Sequence, residues 1–407
     1  MHSTTGRPTR FAALAVTLSL GACATLPFAG LPPAVAPSAP IALAREPGAR
    51  PVVSSGRAGL PIMAFDPGIY VDAEGYHLFY TSLFCQTGDE WAFSWDPAAP
   101  AACNIGTTIG SIAYAFSADR GLTWEFRATP VILPADTGFD ASKIETAQPF
   151  RRGDTLYLVY SAEGKRDGAT FTLRYQIGLA RLPLGGRSVR TALIDQGRRF
   201  EHRRQPLLPY DVRPGRFDNN VQEPSVVLGP DGLVLYYVGL GLRLPDQPVT
   251  APGQQITSVG LGRAELAADF TVTSRSDATL LNGANITEIR YFDGAYHLFG
   301  TTAGRGEFHL GNRIEYATST DGLGWTAPKV ILEGSVPGYD DWGIMAPTVV
   351  VEPDRLVVFY TAFGSEERAC FPVPADGRFG RPVRDGAACL YATVGRAVAA
   401  RPGAQPR

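Results

Sequence analysis

Two acidic residues stand directly before proline at comparable points of the chain, and a third lies in a similar setting. Asp66 is found in "FDPG", Glu223 in "QEPS" and Glu288 in "ITEI". Two carboxyl groups at one site, one protonated and one ionised, can carry out general acid–base catalysis. Each acid alone also has an ordinary explanation, as a turn-capping aspartate before proline or a rim glutamate paired with arginine. The fold must decide whether these side chains meet.

One β unit recurs along the chain. An apolar strand ends in a short signature, a second alternating strand follows after a loop, and no long stretch has helical period. Units that repeat at this scale indicate a propeller, and five copies predict an all-β, five-bladed β-propeller. The signatures are "YHLFYTS" (76–82), "LYLVYSA" (156–162), "LVLYYVG" (233–239), "YHLFGTT" (296–302) and "LVVFYTA" (356–362).

A short motif precedes each signature by a similar distance. Besides the three acidic motifs, these are "AQPF", which contains Gln148, and "MAPT" near residue 346. The first strand of each propeller blade lines the central axis, so the five motifs should converge on one pocket. We therefore expect Asp66, Glu223, Gln148 and Glu288 around that pocket.

From about residue 60 to 397 the chain resembles glycoside hydrolase family 43 and the related families 32, 62 and 68. The resemblance rests on "FDPG", on "VQEPSVV" and on two turns, "SADRGLTW" (117–124) and "STDGLGW" (319–325). It implies hydrolysis of an oligo- or polysaccharide by an inverting mechanism, with Asp66 as base and Glu223 as acid. The first turn also fits the Asp-box pattern, in which Ser and Asp bond the backbone and Trp packs between strands.

One departure from that family concerns blade two. The family places an aspartate before proline there, and the residue aligned with it in this chain is Gln148, which cannot ionise. Glu145, three residues earlier, could lean into the pocket in its place, while Asp140 is expected to be a turn residue. This departure favours an alternative function, that of a non-catalytic glycan-binding or envelope-assembly propeller.

The segment "CQTGDEWAFSWDPAAPAAC" carries three aromatic residues, Trp91, Phe93 and Trp95, in a loop that should rim the pocket. These rings either form a stacking wall for sugar or pack down as a small core. Apart from Cys23, the chain has four cysteines, which we expect to form disulfides in an exported protein. We favour local pairing, Cys85 with Cys103 and Cys370 with Cys389, over the two crossed connectivities.

The histidines give no metal-site spacing. His77 and His297 occupy the same place in "YHLF" and are expected to be structural. His309 lies in a blade-four loop, where it is either a surface residue or, by the resemblance, a substrate-binding residue near the axis. We expect no cofactor and no catalytic metal; a structural calcium ion near the axis is the alternative.

The N-terminus has the layout of a secretion signal, with Arg7 and Arg10 before a short apolar run. It ends in "LGAC", which resembles a bacterial lipobox and implies lipid attachment at Cys23; an ordinary signal peptide is the alternative. The expected organisation is a signal peptide over residues 1–22, a Pro/Ala-rich tether over 23–55 and the propeller over 56–400. The resulting prediction is an exported lipoprotein of the bacterial cell envelope, anchored in the outer membrane if the host has two.

The overall charge excludes one class of partner. The formal net charge is −2 and no basic stripe is present, so a nucleic-acid partner is not expected. The expected partners are a carbohydrate and, through the lipid at Cys23, a membrane. We expect a monomer.

Overall fold

Five antiparallel sheets, each built from consecutive strands, make up the described part of the chain. Their innermost strands contact one another in ring order, with blade five returning to blade one. This arrangement confirms the all-β, five-bladed propeller and sets five strands around one axis. The computed structural model describes residues 41–46, 52, 64–87, 90–93, 109–164, 174–230, 232–243, 256–302, 313–336, 340–341, 343–364 and 391–401.

The strands of the first three blades follow in chain order. Blade one contains β1 (Ala64–Val71), β2 (Tyr76–Thr87), β4 (Ile109–Ser117) and β5 (Glu125–Phe126), with β3 (Glu90–Phe93) paired to β2. Blade two contains β6 (Lys143–Arg152), β7 (Thr155–Glu163), β8 (Gln176–Pro183) and β9 (Glu201–His202), with a helical turn at Thr191–Asp195. Blade three contains β10 (Asn220–Gly229), β11 (Gly232–Leu242), β12 (Ile256–Leu266), β13 (Val272–Arg275) and β14 (Leu281–Asn282), which also pairs with β12.

Blades four and five complete the ring. Blade four contains β15 (Ala284–Phe292), β16 (Ala295–Thr302), β17 (Arg313–Ser319) and β18 (Lys329–Glu333). Blade five contains β19 (Gly343–Val351), β20 (Arg355–Gly364) and β21 (Tyr391–Ala400). No helix among the described residues is long and apolar enough to cross a membrane.

The second strand of each blade carries the signature and is the best buried. Its alternating side chains pack against the neighbouring blades on both faces, which explains why apolar residues occupy almost every position. Four blades bury a tyrosine at the same place, and blade four has Gly300 there instead. The tyrosines are Tyr80, Tyr160, Tyr237 and Tyr360.

In blade two, the buried tyrosine bonds to an aspartate that precedes the innermost strand. Tyr160 donates to Asp140 at 2.8 Å, and the ring of His202 on β9 lies 2.8 Å from the same carboxylate. Asp140 lies in a turn, as predicted, and it is also buried. From that turn it ties the second and outermost strands of the blade together.

Blades three and five repeat this arrangement, with an arginine in the place that His202 takes in blade two. In blade three, Asp218 accepts from Tyr237 at 2.8 Å and from Arg275 of β13 at 2.7 Å. In blade five, Asp340 accepts from Tyr360 at 3.2 Å and from Arg45 at 2.7 Å. Arg45 therefore occupies the place of an outer-strand residue, although it comes from the N-terminal segment.

The N-terminal segment 41–46 packs on blade five and supplies this outer edge. Ala44 and Val398 of β21 exchange two backbone hydrogen bonds of 2.8 Å. Ile41 and Leu43 are buried in the apolar cluster between blades four and five. The prediction of a tether over the whole of 23–55 is therefore wrong for residues 41–46, because two apolar side chains and an arginine there have partners on the propeller.

The Asp-box turn of blade one is structural, as its sequence predicted, and the similar turn of blade four has the same role. In the first, Ser117 and Asp119 accept backbone N–H groups of the turn, and Trp124 packs edge-on against Phe359 of blade five. In the second, Ser319 and Asp321 accept equivalent N–H groups and Trp325 packs against blade three. Each turn therefore attaches the outer part of its blade to the preceding one.

Candidate active site

Each innermost strand is interrupted by a β-bulge near its start. The pairing register of the first two strands shifts there in all five blades. In each bulge one residue other than glycine has a left-handed backbone, a conformation that is uncommon for such residues. These residues are Asp66 (φ 47°), Thr146 (φ 52°), Glu223 (φ 52°), Ile286 (φ 45°) and Ala346 (φ 48°).

All five bulge residues line one open pocket on the axis. Asp66 and Glu223, predicted as a catalytic pair, are therefore brought to one pocket from blades one and three. Both side chains are half-buried. Gln148 and Glu288, predicted nearby, also line this pocket, two residues after the bulge residues of their own blades.

The alignment of Gln148 with Asp66 and Glu223 is wrong. Thr146 has the left-handed backbone in blade two, and the register shift lies between Glu145 and Gln148. The Pro149 that follows Gln148 suggested the wrong alignment, because proline follows the bulge residue directly in blades one and three. Blade two therefore carries a hydroxyl where blades one and three carry carboxyl groups.

Hydroxyl groups of the signatures hold the first three bulges. The Asp66 amide donates to Thr361 Oγ1 at 2.8 Å, and the Thr146 amide donates to Thr81 Oγ1 at 2.9 Å. The Glu223 amide donates to Ser161 Oγ at 2.8 Å. In each case the acceptor belongs to the preceding blade, so the position of each bulge is fixed by its neighbour.

A second belt of side chains lies one level deeper. Thr348 accepts the amide of Ile69 at 3.2 Å, and Ser225 accepts that of Ile289 at 2.9 Å. The other two acceptors follow the same rule, since each accepts from the next blade around the ring. They are Gln148, bonded to the Val226 amide, and Glu288, bonded to the Val349 amide at 2.9 Å.

The belt is interrupted between blades one and two, where one blade lacks the hydrogen-bond acceptor and the other lacks the donor. Gly68 stands at the acceptor position and has no side chain, while Pro149 stands at the donor position and has no N–H. A Cβ atom on Gly68 would lie 2.0 Å from the Ala147 carbonyl oxygen and 2.9 Å from Pro149 Cδ. Glycine is required here because the two innermost strands approach so closely.

The Glu288 carboxylate already has partners at the floor of the pocket. Besides the Val349 amide, it forms an ion pair with Arg290 and lies 3.5 Å from the Gln148 amide nitrogen. Burial raises its pKa, while Arg290 and the hydrogen bonds oppose that rise. The structure therefore places Glu288 in the belt, and only part of its surface lines the pocket.

Asp66 and Glu223 have shifted proton affinities. Burial, followed by the Glu145 carboxylate, raises the pKa of Asp66 to about 7, although Lys143 and a hydrogen bond from Thr81 oppose this. Burial raises the pKa of Glu223 well above its usual range, and the charges of Asp66 and Glu145 raise it further. Both carboxyl groups therefore favour the protonated form more than an exposed carboxyl does, and an ionised Asp66 raises the pKa of Glu223 further.

Glu145 lies just before the Thr146 bulge and is held by a lysine. Lys143 forms an ion pair with Glu145 and donates to the Tyr175 hydroxyl at 3.0 Å. Burial lowers the pKa of Lys143, but Glu145 and Tyr175 outweigh this effect and keep it charged. Glu145 thus brings a carboxylate close to both candidate catalytic acids from the blade whose bulge residue is a threonine.

Several predicted residues lie outside what the structure can test. The backbones of Cys85, Trp91 and Phe93 are described, and β3 pairs with β2 so that Trp91 lies opposite Gln86. Nothing is described of their side chains. The remaining predicted residues lie outside the described residues, namely Cys23, Trp95, Cys103, His309, Cys370 and Cys389.

His77 and His297 are structural, as predicted. His77 is buried between Tyr114 and Asp72, and His297 stacks on Phe292 and contacts Tyr316. Burial lowers the pKa of His297 to about 4, so it stays neutral at physiological pH. In the part of the chain that the structure describes, no group of three or more His, Cys, Asp or Glu side chains is arranged to bind a metal ion.

Comparison with known proteins gives matches only through structure. No family model and no curated protein matches the sequence. The structure of a complex of BT0996 with RGII aligns with a TM-score of 0.60 at 12% identity, covering 88% of this chain and 92% of that one. The chain shares a fold with glycoside hydrolases. A glycoside hydrolase aligns with a TM-score of 0.56 at 14% identity, covering 89% and 94% of the two chains.

A third match carries the family name suggested by the sequence. The GH43_1 enzyme from Xanthomonas citri aligns with a TM-score of 0.50 at 16% identity, covering 86% of this chain and 89% of that one. The resemblance to family 43 is thereby confirmed for the fold. At these identities the match says nothing about which reaction this chain performs, and that question rests on the pocket.

Sequence reasoning missed the residues that support the acids. Lys143, Tyr175 and Thr146 were not identified, nor were the hydroxyls of Thr81 and Ser161. A signal for the hydroxyls was present, since the sixth residue of each signature is Thr or Ser in four repeats and Val238 in the third. Nothing in the sequence pairs Lys143 with Tyr175, which lie 32 residues apart.

Proposed function

We propose that this protein is a glycoside hydrolase that cleaves an oligo- or polysaccharide by an inverting acid–base mechanism. The observation that carries the proposal is the pair Asp66 and Glu223, presented from equivalent bulges at one pocket with the pKa of each raised. Inverting hydrolysis needs one ionised carboxylate to activate water and one protonated acid to donate to the leaving oxygen. Asp66 is suited to the first role and Glu223 to the second.

The surroundings of the pair support this division of roles. The amides of both bulges are bonded to hydroxyls of the preceding blade, so neither carboxyl group depends on a loose loop for its position. Glu145 and Asp66 add negative charge near Glu223, which keeps its proton available at neutral pH. Lys143 opposes the rise in pKa of both groups.

The test compares two kinds of substrate. Glu223→Gln should lower turnover of natural glycosides by about two to four orders of magnitude, the range for general acid catalysis. Nitrophenyl glycosides should suffer less, because their leaving oxygen needs little protonation. Asp66→Asn should abolish turnover of both kinds, since water activation is needed in each case.

Glu201→Gln is the matched control, because Glu201 is exposed and pairs only with Arg181 at the surface. It should leave turnover unchanged. If Glu223→Gln keeps full activity on natural glycosides, the acid is assigned wrongly. Glu145 and Glu288 would then be the remaining carboxyl groups at the pocket.

One observation favours a second candidate, a propeller that binds glycans without cleaving them. Thr146 leaves the blade-two bulge without a carboxylate, so the pocket lacks the third acid that the family resemblance implies. In that case calorimetry would show equal sugar affinity for the wild type and Glu223→Gln, and no glycoside would be turned over by the wild type. A single glycoside hydrolysed by the wild type and lost in Asp66→Asn would exclude this candidate.

We propose that the protein is exported and anchored by lipid on Cys23, in the outer membrane where the host has two membranes. The proposal rests on the "LGAC" sequence after a short apolar run. Radiolabelled palmitate should enter the wild type and not Cys23→Ser when both are expressed in a bacterial host. Equal labelling of the two would contradict lipid attachment at this residue.

A further inference from the structure

The pocket has a polar side and an apolar side. Three of its five bulge residues, in blades one to three, are polar, whereas Ile286 and Ala346 in blades four and five are apolar. Ile286 and Ala346 belong to one cluster of buried apolar side chains with Met345 and Phe363. A sugar in the pocket would therefore face carboxyl groups on one side and hydrocarbon on the other.

Ile286 occupies a costly position. It is β-branched and has a φ of 45°, a region where such residues are rare, and asparagine or aspartate would fit with less strain. The preceding blade gives this bulge no hydroxyl, because Val238 stands where the signatures of blades one, two, four and five have Thr or Ser. Strain that persists at a pocket is a reason to look for a function of the side chain.

The charges around the pocket are unfavourable for an anionic ligand. Asp66, Glu223 and Glu145 approach it from the polar side. No lysine or arginine is among the described residues that line the pocket, and two cations that act on its acids are paired, Lys143 with Glu145 and Arg290 with Glu288. A sugar carboxylate would meet like charge on one side and, on the other, the apolar bulge residues together with Thr287, Glu288 and Thr348.

We propose that Ile286 determines specificity. It selects a neutral sugar unit that turns a C–H or methyl-bearing face towards blades four and five, and the pocket rejects uronates. This inference rests on the proposed function and names the chemical class of the sugar bound at the same site. Its physical basis is contact between the isoleucine side chain and apolar sugar surface, which is lost if the side chain becomes polar.

The experiment compares Ile286→Asn with Ile286→Leu, two side chains of similar size that both relieve the β-branching. Ile286→Leu should unfold at the wild-type temperature or above it because strain is released, whereas Ile286→Asn should unfold at or below it because an amide replaces an apolar group in a buried cluster. On the best neutral substrate found for the wild type, Ile286→Asn should lower kcat/KM by about 10- to 100-fold, the range for one apolar contact in a pocket. Ile286→Leu should lower it by at most about threefold on the same reasoning.

Arg120→Asn is the control for strain relief alone. Arg120 has a φ of 60° in an exposed turn of blade one, so its replacement should leave kcat/KM unchanged. Equal kcat/KM for Ile286→Asn and Ile286→Leu would overturn the inference, as would faster wild-type turnover of a uronate-containing glycoside than of its neutral counterpart. Failure of the proposed function looks different, since the wild type would then hydrolyse no glycoside of either class.

Discussion

Asp66→Asn should make the fold more stable at neutral pH while removing activity. Burial and the Glu145 carboxylate raise the pKa of Asp66 from 3.8 to about 7 in the folded protein. An unfolded chain offers neither, so its aspartate ionises at the usual pKa. Between those two values the folded state holds a proton that the unfolded state has lost, and stability therefore falls as the pH rises through that window.

The size of the effect follows from the shift. A shift of about three units corresponds to about 4 kcal/mol at 1.36 kcal/mol per unit. Asp66 is half-buried and opens onto the pocket, so solvent screening reduces this to about 1–3 kcal/mol. Asparagine keeps the volume and an acceptor for Thr81 but cannot carry the charge. The variant should therefore be more stable than the wild type by that amount above pH 7 and equal to it near pH 4.

The assay is urea unfolding of both proteins at several pH values, with no substrate required. Asp119→Asn is a control of opposite sign, because hydrogen bonds from Thr123, Ser117 and Leu122 outweigh burial and lower the pKa of Asp119 to about 2. That variant should be less stable than the wild type at pH 7. If Asp66→Asn is as destabilising as Asp119→Asn at pH 8, then the ionised Asp66 carboxylate does not destabilise the fold, and the electrostatic reasoning is wrong.

Three further predictions concern other parts of the molecule. Glu145→Gln removes a charge that raises the pKa of Asp66 and of Glu223. Both limbs of the pH profile of kcat/KM should therefore move to lower pH, the acid limb by about one unit. An unmoved profile would contradict a role for Glu145. Arg45→Met leaves the buried Asp340 carboxylate without its cation and should cost about 3 kcal/mol in urea unfolding. Arg181→Met, at an exposed pair, should cost under about 1 kcal/mol, and equal losses would show that residues 41–46 do not brace blade five. Non-reducing peptide mapping should join Cys85 to Cys103 and Cys370 to Cys389, each bridge contributing about 3 kcal/mol, and a bridge from Cys85 to either later cysteine would refute local pairing.

The sequence was sufficient to predict the number of blades because each blade is a local unit. Every sheet is built from consecutive strands, and its apolar alternation and signature can be read without knowing what lies next to it. The convergence of Asp66 and Glu223 on one pocket follows from that topology alone. These predictions required no knowledge of side-chain contacts.

What the sequence could not provide depends on contacts between blades. Pro149 resembles the prolines after Asp66 and Glu223 and so points to Gln148 as the bulge residue of blade two, but only the strand register shows that Thr146 occupies that place. The ion pair between Lys143 and Glu145 tunes two acids on other blades. Such effects arise from three-dimensional proximity and leave no periodic pattern in the sequence.

The position of the N-terminal segment is another feature that the sequence could not predict. Its Pro/Ala-rich composition indicates a tether, and composition alone cannot reveal that Arg45 reaches a buried aspartate on blade five. The repeated Asp–Tyr–cation arrangement explains the placement in retrospect. Among the described residues, no strand follows β21 at the outer edge of blade five. The cation there comes from the N-terminal segment instead.

The two belts suggest how one scaffold can carry different chemistry at the axis. Backbone amides at and just after the bulges are bonded by side chains of the preceding blade, so the bulge geometry does not depend on the bulge side chain itself. In blades one to three, that independence leaves the bulge positions free to vary in chemistry. In this chain they hold two carboxyl groups and a hydroxyl, blades four and five have apolar residues at theirs, and Glu145 lies one residue before the blade-two hydroxyl. Under the proposed function, Glu145 would supply from that neighbouring position the charge that the acid–base pair requires.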